Sequence, residues 1–269
     1  MIKIENLSVV FSRGTPDENI ALTNINLNVR RGEFITIIGS NGAGKSTLYN
    51  AIAGTHPLAG GGIYVRGGDA VGWRDITNEP EYIRARYIGR IFQNPLLGTA
   101  GNMSLEDNML ICRKKGYKGL KISLNNQLRE EFRTQLRILD MGLENRLTDN
   151  VGLLSGGQRQ ALTLLMTVMS RPALLLLDEH TAALDPRNAE VVMNLTLRFA
   201  AEYDLTVMMI THNMNHALKF GTRLLMMDCG EIILDMDKAE KEKLTVQGIA
   251  ERFHDIRHQD LANDEMLLS

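Results

Sequence analysis

Long apolar runs and cysteines are both scarce in this sequence of 269 residues. The most apolar window, residues 161–177, is interrupted by Arg171 and Pro172, whereas a membrane-spanning helix needs about 20 mainly apolar residues. The two cysteines, Cys112 and Cys229, stand far apart and match neither a metal-binding spacing nor a disulfide framework. We therefore expect reduced thiols and no membrane span, so that any membrane would be crossed by another subunit.

An excess of charge of either sign is also missing. Lys and Arg total 30 against 32 Asp and Glu, which excludes a generic basic surface, and we expect no nucleic-acid partner. Residues 1–11 contain charge and no small-residue cleavage site, which favours a strand over a signal peptide. No internal repeat or low-complexity linker interrupts the chain, and 44% hydrophobic with 23% charged residues is typical of a folded globular protein.

The first part of the chain predicts a hairpin followed by a strand, a glycine loop and a helix. Two β-rich runs, 2–11 and 19–29, flank a segment with turn composition. The apolar run 34–38 then ends at Gly39, as expected of a strand in a parallel sheet, and good helix-forming residues follow from 45 to 53.

The rest of the chain separates into a helical stretch and a second α/β stretch. Short β runs end near residue 92, and residues 104–150 have helical character. Compact apolar runs at 173–177, 205–210 and 223–227 alternate with helical segments, which predicts a parallel sheet. From about residue 238 the tail is polar, with apolar residues at helical spacing that predict a final packing helix.

The glycine loop fits the phosphate-binding pattern G-x-x-x-x-G-K-[ST], and its position between a strand and a helix is the context that supports such a match. Lys45 would bridge the β- and γ-phosphates, the Ser46 hydroxyl would coordinate Mg²⁺, and Thr47 would bond to phosphate or backbone. Backbone amides of the loop would cradle the phosphates. The loop residues are Gly39, Ser40, Asn41, Gly42, Ala43, Gly44, Lys45 and Ser46.

A second motif decides between classes of phosphate-loop protein. It is the run Leu154-Ser155-Gly156-Gly157-Gln158, and with it the sequence resembles the ATP-binding-cassette (ABC) family, whose signature motif is L-S-G-G-Q. The resemblance covers nearly the whole chain. Other motifs follow in the family's order: Gln93 resembles the Q-loop glutamine, 173–179 the Walker B strand with its acidic pair, 183–185 the D-loop, and His212 the switch histidine.

The resemblance implies an α/β fold with a P-loop NTPase core. Its sheet would be mainly parallel, with an N-terminal antiparallel β subdomain and an inserted helical subdomain. We expect one ABC ATPase domain over 1–269, with the core and β subdomain in 1–93 and 156–237, the helical subdomain in 94–155 and a helical tail in 238–269.

The resemblance also implies catalytic roles for polar residues near the ends of the predicted strands. Ligands bind at the carboxyl ends of parallel strands, where Asp178 can hold Mg²⁺ together with Ser46 and Gln93. Glu179 would orient or deprotonate the attacking water, and His212 would donate to the γ-phosphate. Lys45, Gln93, Glu179 and His212 are thus the expected catalytic residues. Phe11 matches the place where the family stacks an aromatic ring on adenine, with a core residue of the hairpin as the alternative.

In the family, the signature motif contacts the ATP held by a second subunit. Ser155, Gly156, Gly157 and Gln158 would therefore meet the phosphates bound by the partner's loop, so that hydrolysis requires a dimer. Because the motifs of this chain are intact, we expect a homodimer with two Mg-ATP; pairing with a different ATPase subunit remains an alternative.

A departure from the commonest family pattern is His180, where proline is frequent after the glutamate. Together with Gln93-Asn94-Pro95 and Gly98-Thr99-Ala100-Gly101, it resembles the ATPases of bacterial importers for amino acids or related small solutes, such as the tryptophan/tyrosine type. As a transporter subunit, the chain would lie at the cytoplasmic face of the membrane, dock permease subunits through residues 93–110, and work with an extracytoplasmic solute-binding protein.

Two other functions are compatible with a phosphate loop. A soluble ABC ATPase of translation or repair would usually carry a second cassette or a long coiled coil, and a small-molecule kinase would leave the signature motif and His212 without purpose. The sequence does not identify the solute.

Overall fold

Two β-sheets of different construction organise the chain. The computed structural model describes residues 1–66, 72–113 and 124–253. One sheet is antiparallel, with strand order β2-β1-β4-β5, and the other has the order β10-β9-β3-β8-β7-β6. The strands are β1 (Ile2–Phe11), β2 (Asn19–Val29), β3 (Phe34–Gly39), β4 (Gly60–Val65), β5 (Arg74–Asp75), β6 (Ile88–Ile91), β7 (Leu174–Asp178), β8 (Val207–Ile210), β9 (Arg223–Asp228) and β10 (Glu231–Met236).

Helices lie in several of the connections between the strands. Short 3₁₀ helices lie at Pro95–Gly98, Leu143–Asn145 and Val151–Leu153. The α-helices are α1 (Lys45–Ala53), α2 (Glu81–Arg84), α3 (Leu105–Arg113), α4 (Asn126–Arg137), α5 (Gly156–Met169), α6 (Pro186–Glu202), α7 (Met214–Lys219) and α8 (Lys238–Lys241).

The larger sheet is parallel except at one edge. Strands β9, β3, β8, β7 and β6 run parallel to their neighbours, and β10 pairs antiparallel with β9. Their carboxyl ends therefore meet at a single edge of the sheet, where ligands bind in open α/β folds. The predicted α/β class, with an antiparallel N-terminal sheet and a mainly parallel second sheet, is confirmed.

Strand boundaries agree closely with the sequence patterns in the core. The hairpin strands and α1 have the predicted bounds, whereas β7 is displaced by one residue so that Asp178 is its last member. Strand β10 was not predicted from the sequence. It lies at the sheet edge and carries Glu231 and Asp235, so it lacks the continuous apolar run that marked the buried strands.

The two faces of the larger sheet pack against different helices. Successive residues of β7 alternate: Leu175 and Leu177 belong to the hydrophobic cluster that contains residues of α5 and α6, while Leu174 and Leu176 belong to the cluster that contains residues of α1 and the antiparallel sheet. This follows from the two-residue period of a strand. Helices α1 and α5, which follow the phosphate loop and the signature motif, therefore lie on opposite faces of the sheet.

The described residues of 94–155 contain helices and turns, with an isolated bridge between Ser104 and Asn150. Apolar residues of α3 and α4 share a hydrophobic cluster with β7, so this region packs on the same face of the sheet as α5. Near the end of the chain, residues 246–253 are helical and bury Ile249. The remainder of the predicted tail, 254–269, lies outside the described residues.

Candidate active site

The phosphate loop connects β3 to α1 at the carboxyl edge of the parallel sheet. A Cβ atom on Gly39 would lie 2.1 Å from the backbone oxygen of Met227, so only glycine fits where the loop leaves β3. Helix α1 begins after Gly44, which offers no side-chain acceptor to the first amides, and its first turn contains no acidic residue. The amides and the partial positive charge at this helix end remain available for an anion.

Lys45 folds back into the loop that precedes it. Its Nζ donates to the backbone oxygens of Gly39 at 2.9 Å and Ser40 at 2.8 Å. Burial lowers the pKa of Lys45, while the neighbouring carboxylates of Glu179 and Asp178 act in the opposite direction. The loop thus holds a buried ammonium group close to the acidic pair.

Asp178 ends β7 beside a guanidinium on the neighbouring strand. Its Oδ2 lies 3.5 Å from a terminal nitrogen of Arg90 on β6. Burial raises the pKa of Asp178, and Arg90 and a hydrogen bond from the Ser46 hydroxyl oppose that shift. The structure therefore brings together the carboxylate and hydroxyl oxygens of two predicted metal ligands, and oxygen is the donor that Mg²⁺ prefers.

Glu179 and His212 form the closest contact between predicted catalytic residues. The Nε2 atom of His212 lies 2.6 Å from Oε1 of Glu179, with side chains 49% and 16% exposed. Glu179 has φ 47°, a left-handed conformation that is unfavourable for a residue with a Cβ, and its backbone N–H donates to Ile210 at the end of β8. The segments that follow β7 and β8 thus hold the carboxylate of Glu179 and the imidazole of His212 together.

The signature motif caps the amino end of α5. Ser155 Oγ accepts from the Gln158 amide at 3.2 Å, and Gln158 Oε1 accepts from the Ser155 amide at 3.1 Å, which together form a capping box. A Cβ atom on Gly157 would lie 2.7 Å from Cγ of Asn188 on α6, so glycine permits this close packing. The first turn of α5 has no acidic residue, and this helix end also favours an anion.

Three other predicted residues, Gln93, Phe11 and Thr47, make no side-chain hydrogen bond to this group in the described part of the chain. Gln93 lies exposed after β6, and in the described part of the chain no hydrogen bond joins it to Asp178 or Glu179. Phe11 lies at the end of β1, where its ring meets the ring of His56 edge-on with centroids 5.2 Å apart. Thr47 lies in the first turn of α1.

Sequence reasoning missed three residues that support the site: Arg90, Gln160 and Asp228. Asp228 accepts a 2.7 Å hydrogen bond from the Ser40 hydroxyl and so holds the phosphate loop. It follows the predicted strand 223–227, and the argument that selected Asp178 at a strand end could have selected it. Arg90 was visible as a charge inside a β run, whereas no local pattern indicates the contacts of Gln160.

Known proteins resemble this chain over most of its length. Residues 22–182 match the family described as ABC transporter. The chain is 41% identical over 256 residues to a tyrosine transport ATP-binding protein of Clostridioides difficile, covering 94% of this chain and 98% of the relative. It is 32% identical over 250 residues to an energy-coupling factor transporter ATP-binding protein of Clostridium perfringens, covering 92% and 84% of the two chains.

Solved structures with the same fold include a nucleotide-bound dimer. The dimeric post-hydrolysis structure of the ATP-binding cassette MJ0796 with ADP and phosphate matches with a TM-score of 0.72 and 28% identity, covering 88% of this chain and 99% of that one. Within the residues described for the present chain, no helix combines the length and apolar character needed to cross a membrane.

Proposed function

The chain belongs to the ABC transporter family and is an ATPase, and from this premise we propose that two copies close around two Mg-ATP molecules to power solute import. The observation that carries the proposal is the 2.6 Å contact between Glu179 and His212 beside the phosphate loop. In this contact the carboxylate of Glu179, which can act on water, lies against the imidazole of His212, which can reach a phosphate. The pair lies next to the buried ammonium of Lys45.

The phosphate loop would bind the triphosphate through its backbone amides and Lys45. On binding, the Lys45 ammonium would exchange its hydrogen bonds with the loop carbonyls of Gly39 and Ser40 for phosphate oxygens. The proposed cradle consists of residues 39–47, and Phe11 would contact the adenine ring at its open side.

Ser46 and Asp178, with Gln93 after movement of its loop, would hold Mg²⁺. A magnesium ion supplies charge neutralisation at the phosphates, and it is commonly bound by one or two protein oxygens together with nucleotide oxygens. The pairing of the Ser46 hydroxyl with the Asp178 carboxylate fits this donor set.

Glu179 would accept a proton from the attacking water, or orient that water for in-line attack. His212 would leave the carboxylate when nucleotide binds and donate to the γ-phosphate, where negative charge is stabilised during transfer. The left-handed backbone of Glu179 fixes the direction from which its carboxylate approaches.

The signature motif would complete the site of a second copy. Helices α1 and α5 pack on opposite faces of the sheet, so each subunit presents its phosphate loop and its Ser155–Gln158 end as separate surfaces. A two-fold axis between two copies would place the phosphate loop of each copy against the signature motif of the other. The dimeric state of a solved relative with ADP and phosphate supports this arrangement.

An aromatic amino acid such as tyrosine is the proposed type of solute. The 41% identical relative is named for tyrosine transport, and other relatives are named for import of phosphonates. The subunit would lie against permease subunits at the cytoplasmic face of the membrane and receive them at residues 93–110, where Leu96 and Leu97 are exposed. An extracytoplasmic solute-binding protein would deliver the solute.

Substitution Glu179→Gln tests the catalytic proposal. We expect ATPase activity to fall by at least about a hundredfold, since general acid–base groups contribute on the order of 10²–10⁴-fold, while ATP still drives the chain into dimers on gel filtration. Glu81→Gln, at an exposed position of α2, is the matched control and should leave both measurements unchanged. Near-normal hydrolysis by Glu179→Gln would contradict the assignment.

Purification of the native complex from membranes tests the transport proposal. We expect permease subunits to co-purify, and reconstituted vesicles to accumulate tyrosine only with ATP and an intact Glu179. Recovery of a purely soluble assembly would contradict a role in transport, and accumulation of phosphonate without tyrosine would contradict the proposed solute class.

A further inference from the structure

Gln160 is a buried glutamine that bridges two backbone segments of the active site. Its side chain is fully buried on α5, and Nε2 donates to the backbone oxygens of Phe92 at 3.1 Å and His180 at 2.7 Å. A carboxamide nitrogen has two hydrogens, so both are used. The reverse orientation would place Oε1 against two carbonyl oxygens, and the observed orientation is therefore the chemically required one.

The two accepting carbonyls are adjacent to predicted catalytic residues. Phe92 immediately precedes Gln93, and His180 immediately follows Glu179. These segments leave the neighbouring parallel strands β6 and β7, in which Ile91 is paired with Leu177. The side-chain amide of Gln160 therefore fixes the spacing between the segment after β6, which carries Gln93, and the segment after β7, which carries Glu179.

The same side chain is rigidly connected to the signature motif. Gln160 lies five residues after Ser155, which caps α5, and a helix rises 1.5 Å per residue, so the two are separated by about 7.5 Å along the axis. A displacement of the capped end of α5 would move the amide and, with it, both carbonyls. Signature motif and catalytic glutamate thus have a direct mechanical connection within one subunit.

We propose that Gln160 is a positioning residue, which transmits the docked position of the signature end of α5 to the backbone of Gln93 and Glu179. The inference rests on the proposed role of Glu179. Gln160 Oε1 is buried without a hydrogen-bond partner among the described residues, so the two bonds from Nε2 come with an unpaired acceptor. An unsatisfied buried acceptor is unfavourable for stability.

The test compares Gln160→Met with Thr163→Val in the full-length chain. Methionine keeps the side-chain length and removes both donors. Thr163 is a matched control, since it is buried on the same helix but donates only to Arg159 within α5. We expect Gln160→Met to lower kcat by about ten- to a hundredfold with ATP affinity unchanged, because a misplacement of about 1 Å at a reacting centre can cost on the order of a hundredfold. Thr163→Val should keep kcat within about twofold.

A double-mutant cycle with His212→Ala separates positioning from general damage. If Gln160 acts through the pair of Glu179 and His212, the double variant should lose clearly less kcat than the product of the two single losses. Multiplicative losses, or a loss of nucleotide affinity as large as the loss of kcat, would overturn the proposal. If Gln160→Met fails to fold, Gln160→Leu provides the same test with less bulk.

The result for Gln160 can be distinguished from failure of the proposed function. In a Glu179→Gln background, Gln160→Met should still form ATP-dependent dimers, because nucleotide binding is retained. Normal hydrolysis by Glu179→Gln alone would overturn the role of the glutamate. Normal kcat of Gln160→Met beside an inactive Glu179→Gln would overturn only the positioning role.

Discussion

Arg90 adds a positive charge beside the carboxylate proposed to hold magnesium. Its guanidinium lies 3.5 Å from Asp178 Oδ2 and is centred 4.6 Å from the ring of Phe92. We therefore predict that Arg90→Met lowers the Mg²⁺ concentration for half-maximal ATPase by about fivefold, equivalent to about 1 kcal/mol, since a nearby cation competes electrostatically with the metal. Mg²⁺ titration at fixed ATP measures this shift.

The control for that titration is Arg74→Met. Arg74 is paired with Glu79 and lies over the ring of Tyr87, which precedes β6 at the end opposite to Asp178, so its loss should leave the Mg²⁺ dependence unchanged. A requirement for more Mg²⁺ in Arg90→Met would show that Arg90 organises Asp178 for the metal and does not compete with it.

We predict that His180 makes the stability of the protein depend on pH. Burial, with a smaller effect of His216, lowers the pKa of His180 from 6.5 to about 4, and Nε2 lies 3.1 Å from the Thr196 hydroxyl. Between these two pKa values the unfolded chain binds a proton that the folded chain excludes. The free energy of unfolding should therefore fall as pH decreases from 7 to 5, by about 2 kcal/mol from this residue.

Urea unfolding at pH 7, 6 and 5 measures that dependence. The variant His180→Gln can still donate to Thr196 but does not titrate, so its free energy of unfolding should lose about 2 kcal/mol less over the same range. Parallel pH profiles of the two proteins would show that His180 does not carry the effect.

At the scale of elements, we predict that the capping box of α5 serves both stability and ATP hydrolysis. Ser155→Ala removes the side-chain acceptor for the Gln158 amide, and we predict a loss of about 1 kcal/mol in the free energy of unfolding. Asp237→Ala removes a similar capping box from α8. Only Ser155→Ala should also lower ATPase activity, because its hydroxyl faces the proposed partner nucleotide; equal ATPase activity in both variants would make the cap purely structural.

The elements also show which features a sequence can predict. The glycine loop and the strands β1, β2 and β3 follow from local patterns: two-residue alternation, a continuous apolar run and glycines where the backbone turns. The same patterns placed Asp178, Glu179 and His212 at strand ends that a parallel sheet brings to one edge. Long-range contacts are different, since Gln160 bonds to Phe92 across 68 positions of sequence and depends on the packing of α5 against β6.

At the scale of the whole molecule, the placement of α1 and α5 on opposite faces of the sheet suggests a test of how two subunits pair. Because α1 and α5 lie on opposite faces, we propose that a subunit's phosphate loop works with the signature motif of its partner. Lys45→Ala should inactivate the loop, and Ser155→Arg should place a bulky cation where the partner's nucleotide docks. Each variant alone should therefore be inactive as a homodimer.

Mixing the two variants should restore hydrolysis. A mixed dimer contains one intact pair, the phosphate loop of the Ser155→Arg subunit and the signature motif of the Lys45→Ala subunit, so an equal mixture should recover up to about a quarter of wild-type sites. A mixture of Lys45→Ala with the double variant contains no intact pair and should stay inactive. If both motifs act within one chain, every subunit of the first mixture carries a defect, and no activity should return; that result would overturn the shared site.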